Sequence, residues 1–189
     1  SSAQRRIDIS YNSLDQYVGA LQRAICEPHP DYERIGVRDG DSWRQLNTSL
    51  LQIENEFYAP IRPKRVARSG ESPRHALAER GVEYIEVRCL DLDPFEPIGI
   101  AAETARFLDA FLLCCLLQSS PPSDAAERGV ARENLLAVVE RGRDPALRLR
   151  ASDGRKTGLR AFGEILLADV DAAAGLLDRA YGGDGYCAS

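Results

Sequence analysis

Tyr84-Ile85-Glu86-Val87-Arg88 is the stretch on which the reading of this chain turns. Successive side chains of an extended strand point to opposite faces, so Tyr84, Glu86 and Arg88 share one side and Ile85 and Val87 the other. The run is bracketed by Gly81-Val82 and by Leu90-Asp91-Leu92-Asp93-Pro94, which predicts a strand from Val82 to Cys89 buried in a sheet. Charges on such a strand need partners. A glutamate and an arginine two residues apart can hold a cation with one and an anionic oxygen with the other, as a metal-nucleotide site requires. The same alternation also occurs on solvated antiparallel sheets, where a cross-strand ion pair contributes about 0 to 1 kcal/mol and carries no function. The pattern alone leaves both readings open.

Working outward, Ser13 is placed to cap a helix whose apolar stripe is Leu14, Tyr17, Val18, Leu21 and Ile25, with Pro28 and Pro30 ending it. A turn at Asp39-Gly40-Asp41 precedes two predicted strands, Trp43 to Asn47 and Leu50 to Tyr58. The second of these alternates Leu51, Ile53, Asn55 and Phe57 against Gln52, Glu54, Glu56 and Tyr58. Ala59 to Ser72 reads as a loop carrying Arg62, Lys64, Arg65 and Arg68, after which Ser72-Pro73 opens a short helix that Gly81 closes. From Ala101 the period becomes helical: Ala101 to Leu117, Ser123 to about Arg141, and roughly Gly158 to Tyr181, with a polar connection over Gly142 to Thr157. The fold class expected is α+β, a partial antiparallel sheet backed by helices, with residues 1–189 as one segment: a mixed region over 1–100 and a helical region over 101–189.

Composition bounds the function classes. The 189 residues are 44% hydrophobic and 28% charged, values of an ordinary globular chain long enough to bury a core. The formal charge of -5 argues against a surface built for nucleic acid. No apolar run reaches the roughly 18 residues that span a bilayer; the best is Phe107 to Leu117. No signal peptide is visible, so a soluble cytoplasmic protein is expected. Cys26, Cys89, Cys114, Cys115 and Cys187 lack zinc-binding spacing and are expected as reduced thiols, with Cys114 and Cys115 as small buried hydrophobes. The Gly70 region lacks the Walker pattern, and His75 reads as surface.

Glu54 with Glu56, then Glu86 beside Arg88, offer carboxylates on the strands, and the cationic loop lies between them. Were the strands to share a sheet, oxygen ligands for a hard ion and forked donors for phosphate would meet on one face, which is the equipment of phosphoryl transfer.

A resemblance adds to this. Leu51-Gln52-Ile53-Glu54-Asn55-Glu56-Phe57-Tyr58-Ala59-Pro60-Ile61-Arg62-Pro63-Lys64-Arg65, then Arg68-Ser69-Gly70-Glu71-Ser72-Pro73, Tyr84 to Arg88, Pro94-Phe95 and Pro97-Ile98-Gly99 closely resemble the proteobacterial type of glutamate-cysteine ligase. The resemblance runs from Tyr11-Asn12 to Tyr186. It implies a glutamine synthetase-like fold and ATP-dependent joining of the glutamate side-chain carboxylate to the cysteine amine through an acyl phosphate, the first step of glutathione synthesis. Magnesium, or manganese in its place, is the implied cofactor. Glu86 falls on a magnesium ligand and Arg88 on a contact of the transferred phosphate; both are the implied catalytic residues. Tyr58 matches a tyrosine that meets cysteine, and Arg62, Lys64, Glu54 and Glu56 lie in the substrate- and ATP-binding motif. The family's enzymes are far longer, so the resemblance also implies a C-terminal portion whose missing N-terminal part supplies most metal-binding carboxylates. Such a portion is expected to bind MgATP weakly, not to turn over, and to self-associate through its open sheet edge. The competing reading is a non-catalytic binding or interaction module that kept the fold and lost the reaction.

Overall fold

In the computed structural model, which describes residues 7–151 and 153–188, the Ser13 hydroxyl accepts from the Gln16 N–H at 3.2 Å and starts helix α1 (Leu14–Cys26) where the sequence places it. Tyr17, Ala20, Leu21 and Ala24 are its buried stripe, at the spacing one helix face demands. They pack with Ile9, Leu51, Phe57, Ala59 and Leu77. The chain divides into two compact units, Ser1–Leu90 and Asp91–Ser189.

Pro30 does not merely end α1. It opens a second helix, α2 (Pro30–Ile35), because a residue without an N–H costs nothing in a first turn. A two-residue hairpin follows, β1 (Arg38–Asp39) against β2 (Ser42–Trp43), turning at Gly40 with φ 58°. The predicted strand Trp43 to Asn47 shrinks to this. The predicted strand Leu50 to Tyr58 is absent; the segment makes a single 3-10 turn, Glu54–Glu56. Its backbone groups are taken locally. Gln52 Oε1 accepts from the N–H groups of Leu46 and Asn47, Asn47 Nδ2 donates to the Gln52 carbonyl, and Glu56 Oε2 accepts from the Gln52 N–H. Side chains that bond nearby backbone offer an alternative to a ladder, and here that alternative wins. Leu51 and Phe57 still reach the core, while Ile53 does not.

The cationic loop contributes the strand that the sequence places elsewhere. β3 (Ile61–Lys64) pairs antiparallel with β4 (Tyr84–Val87), with α3 (Pro73–Arg80) between them in the chain. Helix α3 is capped by Ser72, begins at Pro73 and stops at Gly81, φ 74°, as expected. Pro63 is tolerated because β3 has only one neighbour. For the same reason β4 is not the buried strand the sequence suggests: Ile85 remains 50% exposed.

In the second unit, α4 (Ala102–Leu117), α5 (Ala125–Arg141) and α6 (Leu159–Tyr181) match the predicted helices within two residues. Asp124, in a capping box with Glu127, starts α5. Ala110 and Cys114 of α4 pack on Val170, Ala173 and Ala174 of α6. Cys115 is exposed, contrary to expectation, because the buried stripe of α4 passes through 110 and 114. The predicted polar connection holds a hairpin, β5 (Arg148–Arg150) with β6 (Lys156–Gly158), anchored by buried Leu147 and Leu149. Among the described residues the strands therefore form three separate two-stranded sheets rather than one sheet. No helix among the described residues is long and apolar enough to cross a membrane.

Candidate functional site

The β3–β4 register sets Arg62 directly opposite Glu86 and Lys64 opposite Tyr84. These four side chains alternate with Ile61, Pro63, Ile85 and Val87, so the charged face inferred for β4 exists and is doubled by β3. The other face, with Tyr11, Leu14 and Tyr17, lines a mostly apolar cavity of ≈ 240 Å³. The ladder continues one step past β4, since the Arg88 N–H donates to the Pro60 carbonyl at 2.7 Å. The Arg88 guanidinium carbon lies 5.3 Å from the centroid of the Tyr58 ring, within cation-π range, with both residues exposed.

Arg62 is the unusual member. It is 7% exposed, yet its nearest carboxylate, Glu86, stands 3.8 Å away, too far for a hydrogen bond. Its guanidinium carbon lies 5.9 Å from the centroid of the Phe57 ring. Among the described residues, Arg62 Nε and Glu86 Oε2 are both buried and have no hydrogen-bond partner. Buried polar atoms are satisfied as a rule, so an orphaned donor beside an orphaned acceptor is an exception that needs a physical reason.

Glu54 and Glu56 do not join this face. Glu54 accepts from the Arg74 N–H at 2.9 Å and from Arg74 Nε at 3.2 Å, which secures the first turn of α3. Glu56 serves the Gln52 backbone. No group of three potential ligating side chains occurs among the described residues. Glu86 can thus give a hard divalent cation one carboxylate oxygen, where such an ion takes six or so. Sequence reasoning did not single out Phe57, whose ring centroid lies 5.9 Å from the Arg62 guanidinium carbon. An apolar residue in an alternating run signals only core.

The family model for glutamate-cysteine ligase matches residues 1–138. The chain belongs to that family. It is 49% identical to the glutamate–cysteine ligase of Pseudomonas entomophila over 98% of its own length and 35% of that protein. Against the Janthinobacterium enzyme of the same name it is 52% identical over 94% of its length and 34% of the relative's. Among solved structures, the crystal structure of glutamate–cysteine ligase from Francisella tularensis in complex with AMP superposes with a TM-score of 0.86 at 42% identity, covering 93% of this chain and 36% of that one. This member of the glutamate-cysteine ligase family therefore spans about a third of the length of the relatives it matches.

Proposed function

We propose that the chain forms one wall of the active site of an ATP-dependent glutamate–cysteine ligase. The observation that carries this is the cross-strand pair Arg62–Glu86 with its two unpartnered buried atoms, set in the β3–β4 pair. Glu86 would offer one carboxylate oxygen to Mg²⁺ (or Mn²⁺), and that ion would supply neutralisation of phosphate charge. Arg88, exposed on the Tyr58 ring, is free to grip the phosphoryl oxygens. Arg62 and Lys64 add fixed positive charge on the same face, and Tyr58 offers a hydroxyl to the cysteine substrate. Glu54 braces α3 behind this face, and Glu56 orders the turn leading to Tyr58.

The reaction this supports has two displacements. A γ-carboxylate oxygen of glutamate attacks the terminal phosphorus of ATP and expels ADP, giving an acyl phosphate. The cysteine amine then attacks the acyl carbon, phosphate leaves, and the amine loses a proton. The bound AMP of the Francisella relative accords with a nucleotide site, and the reading implies a cytoplasmic enzyme of glutathione synthesis with a glutamine synthetase-like fold. The remaining metal ligands and strands come, on this reading, from other parts of a longer enzyme.

The test is ligation by that longer enzyme, followed as phosphate release dependent on both glutamate and cysteine. Glu86→Gln and Arg88→Lys are each expected to lower kcat by roughly 100-fold or more. Near-normal rates in either variant sink the site assignment. Nucleotide binding with no turnover in the unmutated enzyme favours the interaction module instead.

A further inference from the structure

The two edges of the β3–β4 pair are chemically unlike. In an antiparallel ladder each residue turns its N–H and C=O both toward the partner strand or both away from it, in alternation. The Pro60 carbonyl accepts from the Arg88 N–H at 2.7 Å and the Lys64 carbonyl from the Glu83 N–H at 2.9 Å, so Pro60, Arg62 and Lys64 face β4, and Ile61 and Pro63 face outward. That outer edge of β3 is closed. Pro63 has no N–H to give, and the Ile61 carbonyl already accepts from the Tyr11 hydroxyl at 3.2 Å. On β4 the same alternation turns Ile85 and Val87 outward. Among the described residues no hydrogen bond reaches the backbone of either from that side. Tyr84-Ile85-Glu86-Val87 has no proline or lysine to blunt the edge, and its aromatic and β-branched side chains favour pairing. The apolar face beside this edge is also unfinished. Val82 and Ile85, each about half exposed, line the ≈ 240 Å³ cavity together with Ile61 and Pro63.

We infer that the outer edge of β4 is the docking site for an extended segment of the longer ligase chain, which joins the sheet through main-chain hydrogen bonds to Ile85 and Val87. Such a segment runs about 4.8 Å from β4 and sends alternate side chains to opposite faces. Its apolar residues go to the side of Val82 and Ile85, and its polar residues join Glu86 and Arg88. Main-chain bonds give affinity in this mode of recognition, and pockets for alternate side chains select the sequence. Length argues for the source of the segment. This chain covers 35% of the Pseudomonas entomophila relative and 36% of the Francisella one, so most of the polypeptide in both lies outside the matched part. The inference rests on the ligase reading and deepens it by fixing the side on which the charged face grows: β4 becomes an interior strand, and β3 remains a border.

The experiment is hydrogen exchange, resolved to single amides, in the longer enzyme. The Ile85 and Val87 amides are expected to exchange within about tenfold of the ladder amides Glu86 and Arg88, and the Ile61 amide at least roughly 100-fold faster. Fast exchange at Ile85 and Val87 overturns the proposal. Equal protection at Ile61 indicates general burial rather than strand pairing and overturns it too. Protection that fades on dilution assigns the edge to a second copy, with the same result. Ile85→Pro and Ile61→Pro supply a matched pair, since both side chains line the same cavity and each change removes one outward N–H and no β3–β4 bond. The Ile85 change should lower the thermal midpoint by several degrees more than the Ile61 change, and equal midpoints refute the proposal. Should Ile85→Pro not fold, the exchange pattern of the unmutated enzyme decides. Neither readout uses turnover, so absence of ligation strikes the ligase reading of the charged face and leaves the edge to be judged by exchange.

Discussion

Arg62 and Glu86 are direct cross-strand partners, yet their charged atoms stand 3.8 Å apart and neither completes the other's hydrogen bonds. A pair kept for stability would close that gap. Held open, it costs stability and leaves capacity for a ligand, which is the usual bargain at a functional site.

Arg62→Met tests this directly. The substitution keeps the apolar stem against Phe57 and removes a buried charge. Replacing both members of a buried ion pair by apolar side chains of similar shape is often neutral or stabilising, so Arg62→Met combined with Glu86→Leu is expected to keep the unfolding free energy within about 1 kcal/mol of the parent or to raise it, whereas Arg62→Met alone leaves the Glu86 carboxylate uncompensated. Ligation by the longer enzyme is expected to fall by roughly 100-fold. Denaturant unfolding and turnover are the two readouts; a large stability loss in the double variant would mean that the pair is structural.

Glu54 and Glu86 should part company under magnesium titration. Both Glu54 oxygens are bound to Arg74 at the start of α3, whereas Glu86 Oε2 has no hydrogen bond. Glu54→Gln is therefore expected to lower stability by about 1 kcal/mol while leaving the magnesium concentration for half-maximal rate unchanged. Glu86→Gln should raise that concentration several-fold, as losing one charged oxygen ligand does. Activity against MgCl₂ concentration distinguishes them, and equal shifts would return Glu54 to the metal.

The fold was legible wherever capping chemistry and apolar period agreed. Ser13 with the stripe through Tyr17 and Leu21, Ser72-Pro73 with Gly81, and the three helices beyond Ala101 all fall where those signals place them. Alternation misled where side chains could satisfy the backbone locally. Leu51 to Phe57 alternates like a strand, but Asn47, Gln52 and Glu56 bind the main chain first. Ile61-Arg62-Pro63-Lys64 reads as loop because proline and charge disfavour strands, and only a lone partner strand makes them acceptable there. Leu147-Arg148-Leu149-Arg150 does alternate, and its strand is short enough that the polar residues around it mask the pattern. At the site, Glu86 and Arg88 stand out from their strand alone. That Arg62 lies opposite Glu86 depends on a pairing across an intervening helix, which no local pattern encodes.

Glu71 governs part of the acid response. Arg80 donates to both of its carboxylate oxygens, at 2.6 and 2.7 Å, and the Arg68 N–H adds a third bond at 2.8 Å. The Arg80 fork first, and that backbone bond second, hold the Glu71 carboxyl at about 2, well below its ordinary 4.5. A folded-state pKa below the unfolded one means that this stabilisation is fully present above about 4.5 and is lost as the pH falls toward 2. The thermal midpoint of the parent should therefore drop more steeply between pH 5 and pH 2 than that of Glu71→Gln, which should be the less stable of the two above pH 5. Parallel curves would show that the fork contributes nothing.

Asp178 should control the segment that follows α6 in a way that can be read amide by amide. It is buried near the end of α6, and after the helix stops at Gly182 its two oxygens accept the N–H groups of Tyr186 and Cys187 at 2.8 and 2.9 Å. Those bonds return the chain so that Tyr186 packs on the α4–α6 core. The Tyr186 N–H contributes most to keeping the Asp178 carboxyl below its ordinary range, while a hydrogen bond to Asp178 is the main cause of the raised Cys187 thiol pKa. Asp178→Asn puts an NH₂ where one of the two donors must bind, so only one bond can survive. Hydrogen exchange at the Tyr186 and Cys187 amides should quicken by roughly tenfold, with the α4–α6 interface amides unmoved, as expected for local opening of the segment after α6. The carboxylate that disfavours the Cys187 thiolate is also gone, so alkylation of Cys187, followed by peptide mapping, should speed up while Cys26 and Cys89 react as before. Unaltered exchange at both amides would show that Tyr186 packing alone holds the tail.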